Sequence, residues 1–156
     1  MTAKVIIGVH PHKAVHTAVA VDDKESQLAK LEVRANMSQL KRLLAWAEPF
    51  AERTWAIEGS GGCGYLLAQQ LVDVGEHVVD VPATLAARVR LPGSGKSNKN
   101  DPNDALSVAV AALRAPRLAP VRPADHATVL RILAVRNRQL GSSRTRTACR
   151  LHALLT

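Results

Sequence analysis

Residues 5–33 read VIIGVHPHKAVHTAVAVDDKESQLAKLEV, and this stretch decides the fold. The β-branched run at 5–9 predicts a buried strand, which residues 10–13 interrupt. Residues 15–21 form a second apolar run. Residues 27–33 alternate between apolar and polar side chains, as in a strand with one face in solvent. Three strands joined by short turns predict an antiparallel meander.

After residue 33, the spacing of the apolar residues changes. Helical spacing at 40–47 and 65–74 alternates with strand-like runs at 54–58 and 77–81, and a short helix is predicted at 83–90. A meander followed by helix, strand, helix, strand and helix predicts an α/β fold of the ribonuclease-H-like (RuvC-like) class, with a mixed sheet and flanking helices. A Rossmann domain would alternate strand and helix from the start.

The last third of the chain is predicted to be mainly helical. A polar loop at 91–103 leads into a helix that begins near Pro102 and ends near Leu113, and residues 118–123 are predicted to be irregular or extended. Residues 124–156 then predict one long basic helix.

Two domains are therefore predicted: a RuvC-like domain at 1–123 and a basic helix at 124–156. A break in that helix at Gly141-Ser142-Ser143 is an open alternative.

Charge is unevenly distributed. Residues 1–83 carry 8 Lys+Arg against 10 Asp+Glu, whereas residues 84–156 carry 13 against 3, which gives the chain its net charge of +8. A basic second half favours a nucleic-acid partner, although a solvated basic surface or an acidic protein partner would show the same pattern. The candidate nucleic-acid contacts are Arg88, Arg90, Lys96, Lys99, Arg136, Arg138, Arg144 and Arg146.

Carboxylates occur where a metal site would need them. Glu58 ends a predicted strand, and Asp101 and Asp104 share one face at a helix start because they are three residues apart. Such groups bind Mg²⁺ or Mn²⁺, which prefer oxygen ligands. The ordinary alternative is an ion pair for Glu58, an N-cap for Asp101 and a helix-dipole contact for Asp104.

Three other patterns favour structural explanations. Residues 93–97, GSGKS, resemble the end of a nucleotide-binding loop, but Arg90 stands where that motif needs glycine. The histidines at 10, 12 and 16 suggest a zinc cluster, but they straddle a predicted turn, so His12 is interpreted as a polar turn residue near the site. The glycine-rich stretch at 59–64 is explained by tight strand–helix packing as well as by phosphate binding.

The two cysteines, Cys63 and Cys149, form no C-x-x-C motif, and no apolar run is long enough for a membrane span. The first nine residues lack the layout of a signal peptide. A cytoplasmic protein without a membrane partner is expected.

Four segments carry a family resemblance. Residues 7–13, IGVHPHK, with His16, resemble the first motif of the DEDD transposases of the bridge-RNA-guided insertion sequence 110 family. Glu58-Gly59 with Gly61 resembles the second motif, residues 79–83 the segment that follows, and residues 99–105, KNDPNDA, the third motif. The resemblance covers nearly the whole chain.

The resemblance implies a RuvC-like fold and an Asp-Glu-Asp-Asp tetrad that binds Mg²⁺ (or Mn²⁺). Glu58, Asp101 and Asp104 match the last three positions, whereas His10 stands at the first. A neutral imidazole binds one metal ion through one nitrogen and cannot bridge two. We therefore expect either a decayed or inactivated copy, or a site in which His10 holds a softer ion such as Mn²⁺.

The resemblance further implies a DNA transposase or recombinase that binds DNA, uses a guide RNA, and forms a homodimer or larger homo-oligomer through the C-terminal helix, in the bacterial cytoplasm near the nucleoid. Family members continue into a second domain with a serine nucleophile, which we expect this chain to lack. Two alternatives stay open: a non-catalytic nucleic-acid-binding and dimerisation module, such as a degenerate transposase fragment, or a metal-dependent nuclease that needs no second domain.

Overall fold

A computed structural model describes residues 4–89, 101–115 and 117–155 of the protein. The chain divides into two compact units, Met1–Arg122 and Pro123–Thr156. The boundary predicted from the sequence lies one residue later.

The first unit is built on a five-stranded mixed sheet with the order β3-β2-β1-β4-β5. Strand β1 pairs antiparallel with β2, and β2 with β3, which is the predicted meander. Strands β1, β4 and β5 are parallel to one another. The strands span Val5–Pro11 (β1), Val15–Val21 (β2), Gln27–Arg34 (β3), Arg53–Glu58 (β4) and Val78–Val81 (β5).

Helices cover both faces of the sheet. Helices α1 and α2 enclose one apolar core with Ile7, Val9 and Trp55, and helices α3 and α4 enclose the other with Ile6 and Val81. Burial on both faces explains why β1 is apolar at nearly every position. The helices of this unit span Gln39–Ala47 (α1), Tyr65–Asp73 (α2), Ala83–Val89 (α3) and Asp101–Arg114 (α4).

The segment after α4 extends the sheet edge. The Asp80 backbone N–H donates to the Ala119 carbonyl at 2.9 Å, and the Val121 N–H donates to the Val78 carbonyl at 2.9 Å. The segment predicted to be irregular or extended therefore lies along β5. Strand β1 is longer than predicted and includes His10 and Pro11.

The second unit contains α5, which runs without interruption over His126–Leu155, so the break considered at Gly141 does not occur. Asp125 accepts hydrogen bonds from the Thr128 backbone N–H at 2.8 Å and hydroxyl at 3.0 Å, which caps the helix start. None of the described residues of α5 is buried. No helix in the described ranges has the length and apolar character needed to span a bilayer.

Candidate metal centre

The ends of two central strands position the first site residues. Strands β1 and β4 run parallel, and their last register pair is Val9 with Ile57. His10 and Glu58 are the next residues on their strands. Because Val9 and Ile57 face the core under α1 and α2, alternation turns His10 and Glu58 towards the α4 face.

A glycine brings helix α4 close to these strand ends. A Cβ on Gly8 would stand 2.3 Å from the Ala105 carbonyl oxygen and 2.4 Å from the Ala109 backbone nitrogen. Only a residue without a side chain therefore allows α4 to lie this close to β1. The contact sets the position of the first helical turn, which carries Asp101 and Asp104.

His10 and Glu58 are in direct contact, through the imidazole Nδ1 and the carboxylate Oε2. Each side chain is 19% exposed. A neutral imidazole that carries its proton on Nδ1 donates a hydrogen bond to the carboxylate and leaves Nε2 as the nitrogen with a free lone pair. A protonated imidazole would form an ion pair instead.

A compact group of potential metal ligands adjoins this pair. One ligand atom each from His10, His12 and Asp101 lies within 4.8 Å of the other two. The rings of His10 and His12 are 5.5 Å apart between centroids. His12 is indeed in the hairpin turn, where its backbone N–H donates to the Val15 carbonyl at 3.0 Å, and it supplies one of the three grouped ligand atoms.

The other predicted site residues lie further from this group or outside the described residues. Asp104 is in the same helical turn as Asp101 and is 9% exposed. It is not one of the three grouped residues within the described ranges. Arg88 is exposed on α3, and Arg136, Arg138, Arg144 and Arg146 are exposed on α5. Arg90, Lys96, Lys99 and the GSGKS segment at 93–97 lie outside the described residues.

The third clustered histidine lies on the other face of the sheet. His16 is 4% exposed, and its Nε2 is 3.1 Å from the Gln39 Oε1, while the Gln39 amide donates to Gln70 at 2.7 Å. Its Nδ1 has no hydrogen-bond partner among the residues that the structure describes. Burial lowers the pKa of His16, and the hydrogen bond to Gln39 opposes that shift.

A cavity of about 540 Å³ is bordered by His16, Gln39 and Gln70. His12, Lys13 and Cys63 also line it. No sequence pattern indicates the hydrogen-bonded chain of His16, Gln39 and Gln70, because its members are far apart in sequence. The three-histidine zinc cluster, which the predicted turn disfavours, is not formed as a unit, since His16 and His10 lie on opposite faces of the sheet.

The glycine-rich turn after β4 is held by packing and by Asp80. The Asp80 carboxylate accepts hydrogen bonds from the Ser60 backbone N–H at 2.8 Å and the Ser60 hydroxyl at 2.6 Å. A Cβ on Gly64 would stand 2.6 Å from the Ile57 side chain. Close packing thus accounts for Gly64. Asp80 pairs in register with Ile57, so it faces away from Glu58.

Comparison with known proteins identifies the family. A model of the DEDD transposases of the IS110 type, described as transposase, matches residues 7–156. The chain belongs to this transposase family. It is also 33% identical over 154 residues to the insertion element IS116 uncharacterized 44.8 kDa protein of Streptomyces clavuligerus. The match covers 98% of this chain but 38% of that relative, so the chain spans less than half of its length.

Solved structures of RuvC from Thermus thermophilus have the same fold. One, in complex with a Holliday junction substrate, aligns with a TM-score of 0.55 over 76% of this chain and 99% of RuvC. A second RuvC structure aligns with a TM-score of 0.55 over 75% and 99%. Sequence identity is 13% in both. These likenesses confirm the ribonuclease-H-like fold predicted from the sequence.

Membership in this family and this fold imply dependence on a divalent metal ion. The residues present fit one such ion, because His10, His12 and Asp101 supply two nitrogens and an oxygen in one small volume. They fit a pair of hard ions less well, because position 10 has no carboxylate to share between them.

Proposed function

We propose that this chain is the RuvC-like, metal-binding part of a transposase that acts on DNA strands in DNA transposition. The observation that carries the proposal is that His10, at the end of β1, contacts Glu58 at the end of β4 and is grouped with His12 and with Asp101 at the start of α4, in a chain of a transposase family. When bound there, a divalent ion polarises a phosphodiester and stabilises its developing charge.

The proposed ion is Mg²⁺ or Mn²⁺, held by residues among His10, Glu58, Asp101 and Asp104. Of the two ions, Mn²⁺ suits the site better because it accepts an imidazole ligand more readily. His10 cannot bridge two ions, so we expect DNA cleavage by this chain to be slow. The role of Glu58 in the absence of metal is to hold the His10 ring.

The proposed partners are nucleic acids. Helix α5 exposes arginines along its length, and an exposed basic helix can follow a phosphate backbone. DNA is supported by the transposase family, and a guide RNA by the resemblance of the first and third motifs. Assembly into a homodimer or larger oligomer is proposed through the exposed apolar residues of α5, namely Leu130, Leu133, Leu140 and Leu154. The proposed location is the bacterial cytoplasm, at the nucleoid.

A second candidate function is non-catalytic binding of nucleic acid combined with dimerisation. The observation that favours it is His10 itself, because an imidazole replaces the carboxylate that the resemblance leads us to expect. A degenerate transposase fragment of this kind would keep the basic helix while losing strand cleavage.

One experiment tests both candidates. The chain is mixed with labelled duplex DNA in low salt, and binding and strand cleavage are followed with Mg²⁺ and with Mn²⁺. DNA binding together with metal-dependent cleavage, however slow, supports the transposase proposal. Binding without cleavage in either metal supports the non-catalytic candidate. Failure to bind duplex DNA at low salt contradicts both.

A further inference from the structure

The group His10, His12 and Asp101 differs in chemistry from an all-carboxylate site. Two of its three donors are imidazole nitrogens, and the atoms lie within 4.8 Å of one another. Ligand atoms around a tetrahedral zinc ion, with bonds of about 2.0–2.1 Å, stand roughly 3.3–3.5 Å apart. Small side-chain rotations would bring the three ligand atoms to that spacing. Such rotations are open to His12 and Asp101 because both are exposed and free of core packing.

Glu58 supplies the feature that separates a metal site from a chance cluster. Its carboxylate contacts Nδ1 of His10, so the ring is oriented and Nε2 is the nitrogen left for an ion. Histidines that bind metal usually donate their other ring N–H to a carboxylate or carbonyl in this manner. Glu58 and His10 are both mostly buried, which fixes the pair against the sheet.

We propose that His10, His12 and Asp101 bind a single divalent transition-metal ion, for which Zn²⁺ is the preferred test ion, with Glu58 positioning the His10 ring. Imidazole ligands suit Fe²⁺, Ni²⁺, Cu²⁺ and Zn²⁺; for a mixed nitrogen and oxygen site, affinity rises from Mn²⁺ to Cu²⁺ and is lower again at Zn²⁺. Mg²⁺ demands octahedral oxygen coordination and binds this donor set poorly. Three protein ligands leave one position of a tetrahedral ion open for water or a phosphate oxygen.

This inference specifies the ion and the ligands of the proposed metal site. It rests on the location of that site in the proposed function, but not on the proposed action of the chain on DNA. The metal titration contains no nucleic acid. Loss of DNA binding would therefore leave the metal assignment intact, and loss of metal binding would leave the basic helix as a nucleic-acid surface.

The test is a calorimetric titration of the full chain with Zn²⁺ and with Mg²⁺, supported by visible absorption of the Co²⁺-loaded protein. We expect one Zn²⁺ per chain, bound more than about tenfold more tightly than Mg²⁺. The Co²⁺ spectrum should show the strong absorption of a four-coordinate ion with nitrogen ligands.

Variants assign the ligands. His12→Gln removes one exposed donor without touching the core, and we expect Zn²⁺ affinity to fall by at least about tenfold and the Co²⁺ spectrum to change. Glu58→Gln should weaken binding by about 10- to 100-fold while the stoichiometry stays at one ion. His126→Gln, an exposed histidine at the start of α5, is the matched control and should bind as the unaltered chain does.

Three outcomes overturn the proposal. Equal or tighter binding of Mg²⁺ would mean that oxygen ligands dominate the site. Unchanged Zn²⁺ affinity in His12→Gln would mean that His12 is not a ligand and that the three-donor site is not formed. Loss of Zn²⁺ binding in His126→Gln would place the ion at His126 rather than at His10, His12 and Asp101. Circular dichroism of each variant excludes unfolding as the cause of a loss.

Discussion

Gly8 on β1 lies directly beneath Ala105 of α4, so close that a Cβ on residue 8 would stand 2.3 Å from the Ala105 carbonyl oxygen. The atoms in the way are helix backbone, which cannot rotate aside. We expect Gly8→Ala to shift α4 and to lower the free energy of unfolding by about 1–3 kcal/mol or more. Urea unfolding followed by circular dichroism measures the loss.

The matched control for this substitution is Gly61→Ala. A Cβ there meets nothing within 4 Å, so its stability should change by less than about 0.5 kcal/mol. Because α4 carries Asp101, Gly8→Ala should also weaken metal binding, whereas Gly61→Ala should not. Equal stability of the two variants would mean that α4 does not pack on β1 as described.

Burial of His16 makes stability depend on pH. Its pKa is lowered below the ordinary 6.5 by burial, so the folded protein protonates this ring at a lower pH than the unfolded chain does. As pH falls below about 6.5, the unfolded chain therefore binds more protons at His16 than the folded chain. The stabilising contribution is therefore complete above the unfolded pKa and declines as pH falls, by at most about 1.4 kcal/mol per pH unit.

His16→Gln removes this titration, and the measurement is the free energy of unfolding at pH 7.5 and at pH 5.5. The unaltered chain should lose more stability between these values than the variant does. His126→Gln, which changes an exposed histidine, should follow the unaltered chain. If the free energy of unfolding changed equally with pH in His16→Gln and in the unaltered chain, burial would not lower the pKa of His16.

The order of strands and helices followed from local sequence patterns. Alternation at 27–33 and helical spacing at 40–47 each depend on a few neighbouring residues, and the structure has strands and helices there. Glu58 and His10 were expected at one site because the family resemblance assigns them to one tetrad, and the structure places them in contact at the ends of the parallel strands β1 and β4. The helix at Gly141 continues because one glycine in a helix interior costs only about 1 kcal/mol.

Features that depend on tertiary geometry could not be predicted in this way. His12 was interpreted as a turn residue because its spacing from His10 shows neither the course of the hairpin nor the approach of Asp101. The hydrogen-bonded chain from His16 through Gln39 to Gln70 joins three elements. The strand-like pairing of Val121 with Val78 rests on a partner 43 residues earlier in the sequence (121 minus 78).

The exposed arginines of α5 should contribute a measurable salt dependence to nucleic-acid binding. Each phosphate contact changes the slope of log K against log salt by about 0.9 for duplex DNA. We expect Arg138→Ala and Arg146→Ala together to weaken binding and to reduce that slope by about 1.8 if both contact phosphate. Fluorescence anisotropy with a labelled duplex at several salt concentrations gives the slope.

Arg114→Ala is the control for that experiment, because Arg114 is already paired with Glu25 through its guanidinium. Its removal should leave the slope nearly unchanged. A double variant that binds with an unaltered slope would mean that these α5 arginines do not contact phosphate, and the search for the contacts would move to Arg88 and the residues before Asp101.

His10→Asp tests whether position 10 is a metal-ligand position. In the absence of metal, the new carboxylate would lie against that of Glu58, and repulsion between the two should lower the stability of the chain. A bound Mg²⁺ offsets that repulsion and gains an oxygen ligand. We therefore expect tighter Mg²⁺ binding than in the unaltered chain, with thermal stabilisation that reaches about 2.7 kcal/mol when free Mg²⁺ is 100 times its Kd.

The measurement is a calorimetric Mg²⁺ titration of both proteins at equal ionic strength, with melting curves in parallel. His126→Asp adds the same charge at an exposed position of α5 and should leave Mg²⁺ affinity unaltered. The titration measures metal binding alone, so strand cleavage is not required of His10→Asp. Equal Mg²⁺ affinity in His10→Asp and the unaltered chain would mean that residue 10 does not face the ion. The correspondence of IGVHPHK with the first transposase motif would then have to be withdrawn.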